Sequence, residues 1–265
     1  MLAALDTLKT VALGLIQGMT EFLPVSSSGH IAIGERLFGM GDAPLTLSVV
    51  LHAGTLLATL VAFRGDLATV ARDVLRLRGE PALLRASDSG KLVLAVLVAS
   101  VPTALIGLLL KGPVEAYAHD PQVVGACLMG SAIAVLLTRL GRGEETTPTL
   151  PQAFAIGVVQ GLAVLPGLTR SGSTIAAAML LGLSGAAAFR FSFLLSLPAV
   201  AGAMLLELRH PEALGALGLP ALLGGLVAFV SGYGSLLLLR GVVHRGNLFM
   251  FALYLVPLAA LLFLS

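Results

Sequence analysis

Residues 21–30 read EFLPVSSSGH, and residues 165–174 read LPGLTRSGST. Each sets charge, hydroxyls and a proline inside an apolar stretch. Pro24 and Pro166 each remove a backbone donor and clash with the preceding turn, so each interrupts a helix. The apolar segment 7–38 is expected to break at Pro24, and the segment 150–183 at Pro166-Gly167. Each then forms two half-helices, as broken helices do where they line a polar site inside a membrane.

The surroundings of these breaks are apolar throughout. The chain has 265 residues, of which 57% are hydrophobic and 11% charged, with a mean hydropathy of +0.98. Soluble domains carry about 25% charged residues, so the chain is expected to be an all-α polytopic membrane protein with the lipid bilayer as its solvent. A spanning helix needs about 20 apolar residues. Six runs qualify: 44–64, 91–110, 122–140, 185–206, 219–240 and 247–264. The net charge of +2 is too small to imply nucleic acid as a partner. The single cysteine, Cys127, has no partner for an internal disulfide. The first residues hold Asp6 and Lys9 without a basic run or a small-residue cleavage site, and no cleavable signal peptide is expected.

Arg64, Arg72, Arg76, Arg78, Arg85 and Lys91 gather between 64 and 91, which places that loop in the cytoplasm. Threading outward puts 111–121 outside, 141–149 inside, 207–218 outside and 240–246 inside. The basic residues Arg240 and Arg245 agree with the last assignment. The threading works if both broken segments return to the side they entered, as re-entrant hairpins.

The two broken segments also resemble each other. In GLIQGMTEFLPVSSSGHIAI (14–33) and GVVQGLAVLPGLTRSGSTIAAA (157–178), Gly14, Gln17, Gly18, Leu23, Pro24, Ser28 and Gly29 align with Gly157, Gln160, Gly161, Leu165, Pro166, Ser171 and Gly172, with one gap. Three spans follow each. The reading is a single membrane domain over 1–265, built of one repeat at 1–141 and a second, inverted, at 150–265. In such folds broken helices meet near the midplane and their N-termini face anions.

An ionised group at mid-membrane costs on the order of 2.5–3.5 kcal/mol and is usually functional. Glu21 and Arg170 are such groups. Gln17 lies one turn before Glu21 on the same helix face, and the pair could hold a divalent cation through oxygen. Arg170 offers a planar fork for two phosphate oxygens. Ser26, Ser27, Ser28, Thr169, Ser171, Ser173 and Thr174 supply hydroxyls, and at least one of the serines 26–28 is expected to serve only as a helix cap. His30 follows Ser27 by three residues, within reach on a helix as nucleophile and base or nucleophile and acid. The set suits phosphoryl transfer, which needs positioning and charge neutralisation above all. His52, in LHAGTLLA, reads equally as a residue lining the site or as a buried, satisfied histidine. Arg190 reads as an anchor at the cytoplasmic end, and Arg64 and Asp66 as interfacial charges.

QGMTEFLPVSSSGH resembles the first signature of the undecaprenyl-diphosphate phosphatase family of the bacitracin-resistance type, (E/Q)xxxE followed by PxSSxGH. PGLTRSGST resembles its second, PGxSRSxxT. The resemblance implies an enzyme that hydrolyses undecaprenyl diphosphate to undecaprenyl phosphate and phosphate. Such an enzyme recycles the cell-wall lipid carrier and confers bacitracin resistance. It implies a divalent cation, Mg2+ or Ca2+, and a multi-pass protein of the bacterial plasma membrane with its site facing the exterior, with a homo-oligomer left open. It implies catalytic roles for Glu21, Ser27, His30 and Arg170, with Ser27 or His30 as nucleophile. Gln17, Ser26, Thr169, Ser171 and Thr174 are implied at the substrate, and Glu21 with Gln17 at the metal. Gln17 stands where many members have Glu, which leaves one carboxylate fewer, and Thr169 stands where serine is usual. A lipid flippase or transporter is the alternative, since inverted repeats are a transporter architecture; it needs no nucleophile. The type 2 phosphatidic acid phosphatases share an SGH element, but no histidine follows Arg170 at their spacing.

Overall fold

The computed structural model describes residues 6–40, 45–77, 87–117, 120–141, 143–209 and 218–264. Their regular structure is helical, with one isolated β-bridge between Glu145 and Leu183. Both breaks fall where the prolines put them. Helix α1, Thr7–Phe22, is capped by Asp6, and α2 resumes at Ser27–Phe38. In the second segment, α8 covers Leu150–Leu162 and α9 covers Arg170–Leu180. Gly167 lies in the second break at φ +95°, where a side chain would press on the Val124 carbonyl and Cys127. Glycine is the residue that takes this conformation without strain. In each segment the two half-helices pack against each other.

Between the broken segments run α3 (Leu45–Ala62), α4 (Arg64–Leu77), α5 (Asp88–Leu109), a short α6 (Lys111–Tyr117) and α7 (Pro121–Leu137). After them come α10 (Gly185–Glu207), α11 (Leu219–His244) and α12 (Ala252–Phe263). Four helical stretches are long and apolar enough to cross a bilayer: 88–109, 121–140, 185–207 and 219–244. Side chains such as Leu97 and Leu105 on α5, Val230 and Leu238 on α11 and Leu253 on α12 point outward, as lipid contact requires.

Two expected spans differ from their reading. The run at 44–64 gives α3, which bends by 70° into α4, and the two pass as one span only together. The basic stretch read as a loop therefore begins as a helix; Arg78 and Arg85 lie outside the described residues. The run at 247–264 opens with a 3-10 turn, Leu248–Phe251, before α12. Together these reach roughly 26 Å, short of a hydrocarbon core about 30 Å thick.

Small residues set the closest crossings. Helix α1 lies along α11 and α8 along α5, while α7 pairs with α12. A methyl on Gly14 would strike the backbone of Gly224, and one on Gly157 the backbone of Ala99. Absence of a side chain lets these backbones approach. Below Glu21, the rings of Phe22, Phe63, Phe189 and Phe193 pack with centroids 4.7–5.8 Å apart. Each such pair contributes about 0.5–1.5 kcal/mol beyond its area, and the cluster ties α1 and the bend between α3 and α4 to α10.

Candidate active site

The two broken segments meet at their polar turns. Glu21, in the last turn of α1, forms an ion pair with Arg170, the first residue of α9, 149 positions further on. The other carboxylate oxygen of Glu21 takes two donors, the Ser27 hydroxyl at 2.8 Å and the Gln17 amide at 3.1 Å. Glu21, Gln17, Ser27 and Arg170, each read from the sequence, thus form one bonded cluster.

The turn between α1 and α2 gives the cluster its shape. Ser26 is the one described non-glycine residue with positive φ, at 68°. It holds the N-cap position of α2, yet its side chain caps nothing; its hydroxyl lies 3.3 Å from that of Ser28. The expected serine cap is therefore not made at this end. The first N–H groups of α2 are left for another acceptor, and an uncapped helix N-terminus attracts anions. The second turn is capped instead. The Thr169 hydroxyl accepts from the Gly172 N–H at 3.2 Å, and the Thr169 N–H donates to Ser131 at 2.9 Å.

A cleft of about 290 Å³ opens onto the cluster. Its polar wall includes Glu21, Ser26, Ser27, Ser28, Thr169 and Arg170, and an apolar wall comes from Val164, Leu165, Ala199 and Val200. A second cleft adjoins it and shares Ser27, Ser28, His52 and Val164. Its walls include Leu13, Leu47 and Leu51.

Of the residues read as site residues, Gln17 lines only the second cleft, and Thr174, Ser171 and His30 line neither. Thr174 is fully buried, with its hydroxyl on the Arg170 carbonyl at 2.8 Å and against the Ser192 hydroxyl. It fastens α9 to α10. Ser171 is buried beside Thr169, its hydroxyl 3.3 Å away. His30 points to the far side of α2. Its Nδ1 lies 2.8 Å from the Ser26 carbonyl oxygen and its Nε2 2.6 Å from the Tyr254 hydroxyl. The cavity it borders contains neither Glu21 nor Arg170.

Other cleft residues were not read as site residues. Gln160 is 2% exposed, and its amide oxygen has no partner while its nitrogen reaches the Leu195 carbonyl at 3.3 Å. Its alignment with Gln17 was the available signal. Thr103 and Glu207 also line the cleft. Arg190 pairs with Asp66 at 2.6 Å, joining α10 to α4.

A resident divalent cation does not fit this donor set. Among the described residues no three His, Cys, Asp or Glu side chains come together. Both Glu21 oxygens already face donors, one of them cationic, and Gln17 presents its amide nitrogen to the carboxylate.

The sequence profile of the family described as bacitracin resistance protein BacA matches residues 10–261. A protein of Desulfosudis oleivorans named undecaprenyl-diphosphatase is 45% identical over 262 residues, covering 94% of this chain and 95% of its own. Proteins with the same name from Salinibacter ruber and Korarchaeum cryptofilum are 38% and 36% identical. The alignments cover 93% and 95% of this chain and 94% and 96% of theirs.

Proposed function

This chain belongs to the bacitracin resistance protein BacA family, and from that premise we propose that it is a membrane-embedded undecaprenyl-diphosphatase. It hydrolyses undecaprenyl diphosphate to undecaprenyl phosphate and inorganic phosphate, recycling the cell-wall lipid carrier and conferring resistance to bacitracin. The observation that carries this reading is the bonded group of Ser27, Glu21 and Arg170 beside the uncapped start of α2.

The terminal phosphate docks at the N–H groups of α2, and the Arg170 donors not paired with Glu21 take its oxygens. Ser27 Oγ attacks the terminal phosphorus, and its proton passes to the Glu21 oxygen it already faces. The bond from phosphorus to the bridging oxygen breaks, and that oxygen leaves with the electron pair as part of the lipid monophosphate. Arg170 offsets charge that develops on the transferred group. The aliphatic wall of the neighbouring cleft, at Leu13, Leu47 and Leu51, takes the start of the lipid chain. Ser27 is favoured over His30 as nucleophile because its hydroxyl faces both the carboxylate and the cleft. A flippase would need no such hydroxyl.

Mg2+ or Ca2+, implied by the family, is proposed to arrive with the diphosphate, because Mg2+ is commonly held by one or two carboxylates together with substrate phosphates.

Six spans, two re-entrant hairpins and an inverted repeat of 1–141 on 150–265 are proposed for the whole, in the bacterial plasma membrane with the cleft toward the exterior. The exchanged pairings support the repeat: α1 with α11 mirrors α8 with α5, and the aligned Gly14 and Gly157 each make the close approach.

Purified protein in detergent should release phosphate rapidly from undecaprenyl diphosphate and very little from the monophosphate, whose leaving group would be an alkoxide. EDTA should stop the release. Equal rates on both lipids would sink the proposed reaction, and EDTA-independent release would sink the role of the cation alone.

A further inference from the structure

Two histidines stand near the first break, and one of them borders the cleft of Glu21 and Arg170. His30 has both ring nitrogens in bonds, to the Ser26 carbonyl and the Tyr254 hydroxyl, and its ring lies over that of Tyr254 with centroids 5.8 Å apart. His52, on α3, borders both adjoining clefts, as Ser27 does. Its Nδ1 lies 2.9 Å from the carbonyl oxygen of Ser48, one turn earlier. A carbonyl only accepts, so in the neutral ring Nδ1 carries the hydrogen and Nε2 is the acceptor. Among the described residues Nε2 of His52 has no bonded protein partner.

The chemistry of the second half-reaction calls for such a group. Once Ser27 has attacked, its proton sits on Glu21, which cannot take another from water. We infer that His52 is the general base that activates water against phosphorylated Ser27, while His30 is a positioning residue that holds the Ser26 turn. This rests on Ser27 being the nucleophile of the proposed reaction. Water oxygen bonds to the phosphorus of phosphoserine, and one water proton passes to His52 Nε2. The bond between phosphorus and Ser27 Oγ breaks, and Oγ recovers its proton from Glu21. Inorganic phosphate leaves, and His52 returns its proton to solvent. The other charged groups on the two clefts are Glu21 from α1, Glu35 from α2, Arg170 from α9 and Glu207 from α10. Glu35 borders only the second cleft and Glu207 only the first, whereas His52 borders both beside Ser27.

The test is rapid quench of purified protein with terminally labelled undecaprenyl diphosphate. His52→Gln should keep the initial burst of undecaprenyl phosphate within a few-fold of wild type. Steady turnover should fall by at least about a hundredfold, within the range for a lost general base, and an acid-stable phosphoenzyme should accumulate. Free imidazole should restore turnover to His52→Ala. His30→Gln should slow burst and turnover together, with no accumulation. Normal turnover in His52→Gln overturns the inference, as does loss of turnover without accumulation, or accumulation in His30→Gln instead. If Ser27→Ala retains full activity, the nucleophile reading fails first. If Ser27→Ala is inactive and His52→Gln is normal, only the role of His52 fails. A melting curve of each variant in detergent separates these outcomes from misfolding.

Discussion

Glu21 binds Arg170 through one oxygen and Ser27 and Gln17 through the other. The guanidinium is therefore already oriented, with its remaining donors free to turn toward a phosphate. Lysine could pair with Glu21 but not hold two phosphate oxygens in a plane. Arg170→Lys should lose at least about tenfold in rate, equivalent to roughly 1.4 kcal/mol; near-normal phosphate release by a folded Arg170→Lys would mean that charge alone matters there. Glu21, Ser27 and Arg170 were legible in the sequence because polar groups beside a proline in an apolar run have few other places to go. The direction of His30 was not. It depends on Tyr254, 224 residues away, and on the left-handed turn at Ser26 that rotates α2. No local pattern encodes either. The sequence leaves His52 open between two roles, since its place on the cleft follows from how α3 packs rather than from its neighbours in sequence.

At the level of elements, both breaks and all four long helices could be read from proline and hydropathy. The bend between α3 and α4 could not. It occurs at Phe63, where an apolar helix passes into a charged one, without a proline to announce it, and Phe63 is held by the rings of Phe189 and Phe193. Small residues allow helices to pack closely, but their positions in the sequence do not say which pairs touch. The structure supplies the pairs, and they make a comparison possible. Gly157→Ala would push a methyl into the Ala99 backbone, and overpacking of this kind costs about 1–3 kcal/mol. Gly241→Ala, in open space on α11, should instead stabilise by up to about 1 kcal/mol through helix propensity. Unfolding of the two variants in detergent checks this, and equal shifts in the same direction would remove close approach as the cause.

For the whole molecule, the proposed six spans put both ends of the chain on the outer face. With Cys127 replaced by alanine, single cysteines near Lys9 and near Leu264 should react with an impermeant reagent in intact cells, and one near Arg72 only after permeabilisation. Ends on opposite faces would overturn the span count and the inverted repeat with it. The Glu21–Arg170 pair has a consequence for how such a chain is made. The carboxylate belongs to the half synthesised first and its counter-charge to the half synthesised second. Until Arg170 has emerged and docked, Glu21 has the donors Ser27 and Gln17 but no counter-charge, and an ionised group at mid-membrane costs on the order of 2.5–3.5 kcal/mol. The contact that prepares the cleft for phosphate therefore cannot form until the second half of the chain is under way.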